Sequence, residues 1–113
     1  MFNIISQSTP DLSKVDIYRM TRDPQIQQAK NLEDGTILEV AAWLEFEDVK
    51  QDGDNANLLS ILTTDGTVVT TQSQTFKNSF HEVDELMAGD PYSIEKISGT
   101  TKAGRPYVNC RMA

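Results

Sequence analysis

Aromatic and basic side chains are concentrated in residues 102–111. Lys102, Arg105, Tyr107 and Arg111 all lie within these ten residues. If a strand runs through this segment, Tyr107 and Arg111 project from the same face, because side chains alternate along a strand. A flat ring can stack on an unpaired base, and nearby cations can contact phosphates. This combination is typical of sequence-independent binding to single-stranded nucleic acid.

Other aromatic and basic residues extend the set of candidate contacts. Alternation along a strand over residues 37–49 places Trp43 opposite the apolar side chains, so we expect it either to be exposed for stacking or to be covered by a helix or the N-terminal arm. Glu39, Glu45 and Glu47 share its face and would repel phosphate. The remaining candidates are aromatic and basic residues close in sequence: Tyr18, Arg19 and Arg22, and Tyr92 with Lys96.

Residues that usually perform catalysis or bind metals are sparse. His81 is the single histidine and Cys110 the single cysteine, and they lie far apart in sequence. We expect His81 to be a surface or partly buried residue of a helix and Cys110 to be a small core residue. The acidic residues between 45 and 54 lack the spacing of a calcium loop. The sequence therefore predicts no enzyme activity, no metal and no cofactor.

The charge distribution restricts the class of partner. The net charge is −7, and residues 31–90 carry 13 acidic and only two basic side chains. That balance argues against gripping duplex DNA mainly through its phosphates. An acidic module that binds proteins, or that inhibits an enzyme by mimicking DNA, is the alternative function. With one cysteine and no segment typical of secretion or membrane insertion, we expect a cytoplasmic protein.

Hydrophobic periodicity predicts the elements that must position these residues. Alternation predicts a long strand, then a hairpin around Thr64-Asp65-Gly66. Apolar residues at spacings of four, three and four then predict a helix that Ser73 or Thr75 can cap. Two strands follow around a Gly99–Arg105 turn. The predicted ranges are 37–49, 57–63, 67–73, 75–87, 92–98 and 106–112.

This order predicts the fold class. We expect an all-β protein with an OB-fold-like barrel of five strands and one helix between strands 3 and 4. The barrel domain covers residues 37–113, and residues 1–36 form an N-terminal arm with short strands. A mixed α+β sheet with one packing helix is the alternative architecture.

Three blocks resemble a known family in order and separation. They are Lys30-Asn31-Leu32-Glu33-Asp34-Gly35-Thr36-Ile37-Leu38-Glu39, then Thr64-Asp65-Gly66, and then Gly99-Thr100-Thr101-Lys102-Ala103-Gly104. With a helix between the second and third blocks, residues 28–112 resemble the single-stranded DNA-binding proteins of small bacteriophages that replicate linear genomes by protein priming (phi twenty-nine type). Trp43 and the N-terminal arm lie outside the shared pattern.

The resemblance implies a role in strand-displacement replication. Many copies would coat the displaced single strands, block nucleases and prevent re-pairing. Single-stranded DNA is then the expected partner, and a replication polymerase is a further candidate. The chain ends Cys110-Arg111-Met112-Ala113. We therefore do not expect recruitment of partners through an acidic tail. The sequence leaves the oligomeric state open.

Overall fold

The computed structural model describes residues 2–8, 12–49 and 55–113. Strand β1 (Phe2–Gln7), helix α1 (Lys14–Thr21), strand β2 (Gln27–Gln28) and a 3₁₀ helix (Ala29–Asn31) come first. They are followed by β3 (Ile37–Val49), β4 (Asn55–Thr63), β5 (Val68–Thr71), α2 (Gln74–Met87), β6 (Tyr92–Thr100) and β7 (Pro106–Met112). Asp52 and Asp54, two of the acidic residues between 45 and 54, lie outside the described residues.

The strands form one sheet in which β3 is the central element. The path of paired strands is β2-β5-β4-β3-β6-β7, and β1 pairs with β3 as well. One edge of β3 pairs with β4, while the other pairs first with β6 through residues 37–40 and then with β1 through residues 44–48. The sheet curls into a half-barrel. The expected mostly-β class is confirmed, but the described residues form seven strands instead of five.

A β-bulge in β3 changes which face its side chains occupy. Val40 pairs with Thr63 and Ala42 with Leu62, so Ala41 is an extra residue opposite β4. Before the bulge, Leu38 packs with α2. After it, even-numbered residues such as Leu44 pack on the opposite face of the sheet. Alternation therefore predicted the burial of Leu38, Leu44 and Phe46 correctly but placed all three on a single face.

The described residues form two hydrophobic cores, one on each face of the sheet, and helix α2 covers the first of them. It spans Gln74–Met87, close to the predicted 75–87, and the Ser73 hydroxyl caps it by accepting a hydrogen bond from the Phe76 amide at 3.2 Å. Phe76 and Phe80 are fully buried. The helix ends at Ala88, whose backbone is left-handed, followed by Gly89 with φ of 95°. The helical period and the cap predicted this element because both signals are local.

Helix α1 covers the second core and was not predicted. Ser13 caps it by accepting a hydrogen bond from the Asp16 amide at 3.0 Å. Met20 then packs against Leu44 and Phe46 on the opposite face of the sheet from α2. The N-terminal arm thus contains a helix besides its two strands, and it buries side chains that the barrel strands supply. Neither α-helix in the described ranges is long and apolar enough to cross a membrane.

Candidate functional site

The β6–β7 hairpin displays the aromatic and basic residues at the end of the chain. On its inner face Cys110 pairs with Lys96, and on its outer face Tyr107 pairs with Gly99. The alternation predicted for residues 106–112 is therefore correct. The connecting turn is tight: the Thr101 amide donates to the Arg105 carbonyl, and the Gly104 amide donates to the Thr101 carbonyl, both at 2.9 Å. Gly104 has a positive φ of 83°, which favours glycine.

The Tyr107 ring lies over Gly99 on the neighbouring strand. A Cβ atom built on Gly99 would lie 2.5 Å from Cζ of the ring and still closer to the hydroxyl oxygen. Glycine therefore leaves the space that the ring fills, as cross-strand aromatic–glycine pairs do. Tyr107 is 37% exposed. The ring therefore packs against the backbone at Gly99, and more than a third of the residue's surface stays exposed.

Lys102 and Arg105 lie in the turn that precedes Tyr107. Both are exposed. No hydrogen bond or ion pair to their side chains occurs within the part of the chain that the structure describes. Their positive charges are thus available to anions. Arg111 differs, because Nε and Nη2 donate to both carboxylate oxygens of Glu95 at 3.1 and 3.3 Å. Its charge is largely balanced across the two strands.

The structure corrects the expectation of an exposed Trp43. Its side chain is 8% exposed and packs edge-on against Phe80 and His81 at centroid distances of 6.1 and 5.0 Å. The bulge at Ala41 is the physical reason, since it turns Trp43 toward α2. The alternative that a helix covers the indole is confirmed. Glu45 also projects toward α2, where its carboxylate contacts Nε2 of His81.

Lys96 and Tyr92 share a strand face, as predicted, but that face points inward. Lys96 is 4% exposed, and its ammonium donates to the Leu32 carbonyl at 2.7 Å and to Asp34 at 2.8 Å. The hydroxyl of Tyr92 donates to Asp84 at 2.9 Å, and burial raises the pKa of Tyr92. Lys96 is thus held in the protein interior and offers a ligand no accessible charge, while Tyr92 is half-buried with its hydroxyl bound to Asp84.

The Lys30–Glu39 block carries the loop that holds Lys96. Hydrogen bonds from Lys96 and Ser98 lower the pKa of the Asp34 carboxyl below its ordinary value. The Gly35 amide donates to the Lys96 carbonyl at 2.8 Å, and the Lys96 amide donates to the Thr36 carbonyl at 2.9 Å. Much of this sequence block therefore attaches the segment before β3 to β6.

The basic cluster in α1 is also engaged with the sheet. Nη2 of Arg19 donates to the Gly66 carbonyl at 2.9 Å, which ties the helix to the β4–β5 turn. Arg22 forms an ion pair with Asp48 at 3.0 Å. Only Tyr18 projects freely from this group, with 53% of its surface exposed. Tyr18 and Arg19 lie on α1 and Arg22 directly follows it, whereas the Tyr107 ring lies on the β6–β7 hairpin.

The two residues considered for catalysis, Cys110 and His81, are buried and half-buried. Cys110 is 3% exposed, and burial raises the pKa of its thiol to about 12, so the nucleophilic thiolate is disfavoured. His81 lies on α2 as predicted and is half-buried. No group of three metal-ligating side chains occurs within residues 2–8, 12–49 and 55–113.

Gly99 is the residue of this site that the sequence did not indicate. A glycine inside a strand can mark a close approach by another group. The predicted strand ended at residue 98 and left Gly99 in the turn, whereas β6 runs to Thr100. The partner of Gly99 also depends on the register of β6 against β7.

Comparison of the chain with protein-family models, curated proteins and solved structures found no match.

Proposed function

We propose that this chain binds single-stranded DNA without sequence preference through the outer face and turn of the β6–β7 hairpin. Bases stack on the free face of Tyr107, and Lys102 and Arg105 contact phosphates. In the cytoplasm of an infected host, many copies would coat the strand displaced behind a replicating polymerase, as in the phage proteins that the sequence resembles.

The observation that carries this proposal is the ring of Tyr107, which packs against Gly99 on the same hairpin as two exposed, unpaired cations. Base–aromatic stacking contributes about 1–3 kcal/mol per base and tolerates any sequence, because every base has a π-face. The turn supplies positive charge where the chain is otherwise acidic. Ring and cations lie on one hairpin, which fixes their relative positions better than separate loops would.

The strand connections support an OB-type barrel as the scaffold. Strands β3 to β7 follow the expected order, with α2 between β5 and β6 and with β6 returning to pair with β3. In OB-folds, oligonucleotides commonly bind near the loop between the last two strands. That loop corresponds here to residues 101–105. In this proposal β1, β2 and α1 are additions to the five-stranded unit.

The contacts of the acidic side chains favour DNA binding over the alternative of a DNA mimic. A mimic needs carboxylates that remain exposed and spaced like phosphates. Several acidic residues of the middle segment instead hydrogen-bond or pair within the protein: Asp34, Glu45, Asp48, Asp65 and Asp84. Their charge is used to hold loops, helices and strands together.

A matched pair of tyrosine variants tests the proposal. Fluorescence anisotropy of a labelled oligo-dT at low ionic strength would compare the wild type with Tyr107→Ala and Tyr18→Ala. Loss of one stacking contact predicts about 5- to 150-fold weaker binding for Tyr107→Ala. Tyr18→Ala removes a ring on α1 that is more exposed than that of Tyr107, and this variant should bind as the wild type does. Unlabelled oligonucleotides of mixed sequence should compete as well as oligo-dT.

Two outcomes would contradict the proposal. Absence of any anisotropy change with wild-type protein at low ionic strength would exclude single-strand binding. Equal affinities of the wild type and Tyr107→Ala would place the site elsewhere on the molecule. Circular dichroism melting curves of each variant distinguish loss of the site from loss of the fold.

A further inference from the structure

A polar groove lies where the sheet fails to close on itself. The path of paired strands begins at β2, next to β5, and ends at β7. Between β5 and β7 the surface forms a groove of about 320 Å³. The residues that line it include Gln28, Lys30, Thr70, Thr71, Gln72 and Val108. Its position makes it the open seam of the half-barrel.

The lining of this groove differs from the surface of the protein as a whole. None of the described residues that line it carries a carboxylate, although the chain has 17 acidic residues. Lys30 supplies a positive charge, and hydroxyl and carboxamide groups supply donors and acceptors. Leu58 and Val108 add apolar surface. Lys30 would bind a phosphate, the hydroxyl and carboxamide groups would hydrogen-bond a base edge, and the apolar side chains would contact a base face.

The groove adjoins the Tyr107 site across the thickness of one strand. Val108 lines the groove and directly follows Tyr107, so their Cα atoms are about 3.8 Å apart. The two side chains project to opposite faces of β7. The Ser73 hydroxyl donates to the Val108 carbonyl at 2.9 Å, which holds the start of α2 against this strand. A polynucleotide crossing β7 beside the start of α2 would pass from one site to the other.

We infer that this groove binds the nucleotide next to the one stacked on Tyr107, with Lys30 contacting its phosphate. The inference rests on the proposed function, because it extends the same bound strand. The ligand class is a single-stranded oligonucleotide of at least two residues. The outer face of the hairpin holds one base, and the seam holds its neighbour.

The salt dependence of binding tests the role of Lys30. Lys30→Ala removes an exposed cation from the groove, and Lys14→Ala removes an exposed cation from α1 as a matched control. For oligo-dT, Lys30→Ala should lower the slope of log affinity against log salt by about 0.7, the value for one phosphate on a single strand. Lys14→Ala should leave the slope unchanged. Equal slopes for the two variants would overturn the inference.

A second measurement locates the ligand independently of charge. Addition of (dT)₈ to ¹⁵N-labelled wild-type protein should shift the amide signals of residues 70–72 and 108 together with those of 99 and 107. Shifts at 99 and 107 without shifts at 70–72 would refute the groove site and leave the proposed function intact. Absence of shifts at both sites would refute both.

Discussion

Substitution of Gly99 by alanine should weaken single-strand binding while leaving the stability of the fold almost unchanged. Gly99 does not belong to the glycines with positive φ, so its backbone conformation accepts any L-residue. The Tyr107 ring is what requires glycine at this position. Ordinary van der Waals contact begins at 3.4 Å, and the added methyl carbon would lie 2.5 Å from Cζ. The ring must therefore move by at least about 0.9 Å or leave its position.

The expected magnitudes separate binding from stability. A glycine-to-alanine change at a compatible backbone position stabilises by about 0.4–1 kcal/mol. A ring forced off its preferred rotamer costs about 0.5–1.5 kcal/mol, so the two effects on the free energy of unfolding nearly cancel. Binding loses as much as one stacking contact, about 1–3 kcal/mol, which is about 5- to 150-fold in affinity for oligo-dT.

A double-mutant cycle tests this reasoning. Anisotropy titrations would compare the wild type, Gly99→Ala, Tyr107→Ala and the double variant, with urea unfolding curves for each. Because Gly99 acts through the ring, the double variant should bind no more weakly than Tyr107→Ala alone. If Gly99→Ala bound oligo-dT with wild-type affinity, the argument that the Tyr107 ring needs the space left by a glycine would be refuted. Losses that add in the double variant would show that Gly99 acts independently of the ring.

Four further predictions concern charge, pH and reactivity. Replacing both Lys102 and Arg105 by alanine should lower the salt slope of oligo-dT binding by about 1.4; a slope equal to that of the wild type would remove them from the phosphate path. Glu95→Gln should raise the affinity for oligo-dT by up to about fivefold, because the substitution removes the carboxylate that pairs with Arg111. Unchanged or weaker binding in the same titration would contradict this. The pKa of Asp34 is below its ordinary value in the folded state, so its carboxylate stabilises the fold above pH 3.8 and this contribution is lost as the pH falls through the folded pKa. Urea unfolding should therefore show Asp34→Asn to be less stable than the wild type at pH 7 but not at about pH 2, and a deficit independent of pH would refute the assignment. Cys110 should react with a thiol reagent only as fast as the protein unfolds, and rapid labelling of the folded protein would contradict its burial.

Local signals predicted the parts of the fold that depend on neighbouring residues. Apolar periodicity and a serine cap were enough to predict α2, and the turn at Asp65-Gly66 predicted the β4–β5 hairpin. Gly66 has a positive φ of 89°, and the Asp65 carboxylate accepts a hydrogen bond from the Thr67 amide at 3.0 Å. Each of these features is set within a few residues of sequence.

The sequence did not predict features set by contacts between distant segments. The bulge at Ala41 is visible only against β4, and it reversed the expected orientation of Trp43. Lys96 resembled a surface cation, but the carbonyl of Leu32 and the carboxylate of Asp34 allow its burial. Helix α1 is short, with a weak apolar pattern, and its packing against Leu44 depends on the curled sheet.

The same distinction between local signals and contacts of distant segments applies to the candidate site. The alternation in residues 106–112 predicted that Tyr107 and Arg111 share an outer face. The loss of Arg111 as an unpaired cation depends on its register opposite Glu95. The seam between β5 and β7 arises from the whole path of the sheet, so no short stretch of sequence indicates it.

The bulge in β3 also defines where the strand tolerates a change in length. With Ala41 removed, Val40 and Ala42 would become consecutive residues opposite Thr63 and Leu62, which are already consecutive in β4. A deletion at this point would leave every later pairing in place. A deletion after it would exchange the faces of the side chains between the gap and the bulge. Ala41 is thus a spare residue, and a shortened homologous strand would be expected to lack its counterpart.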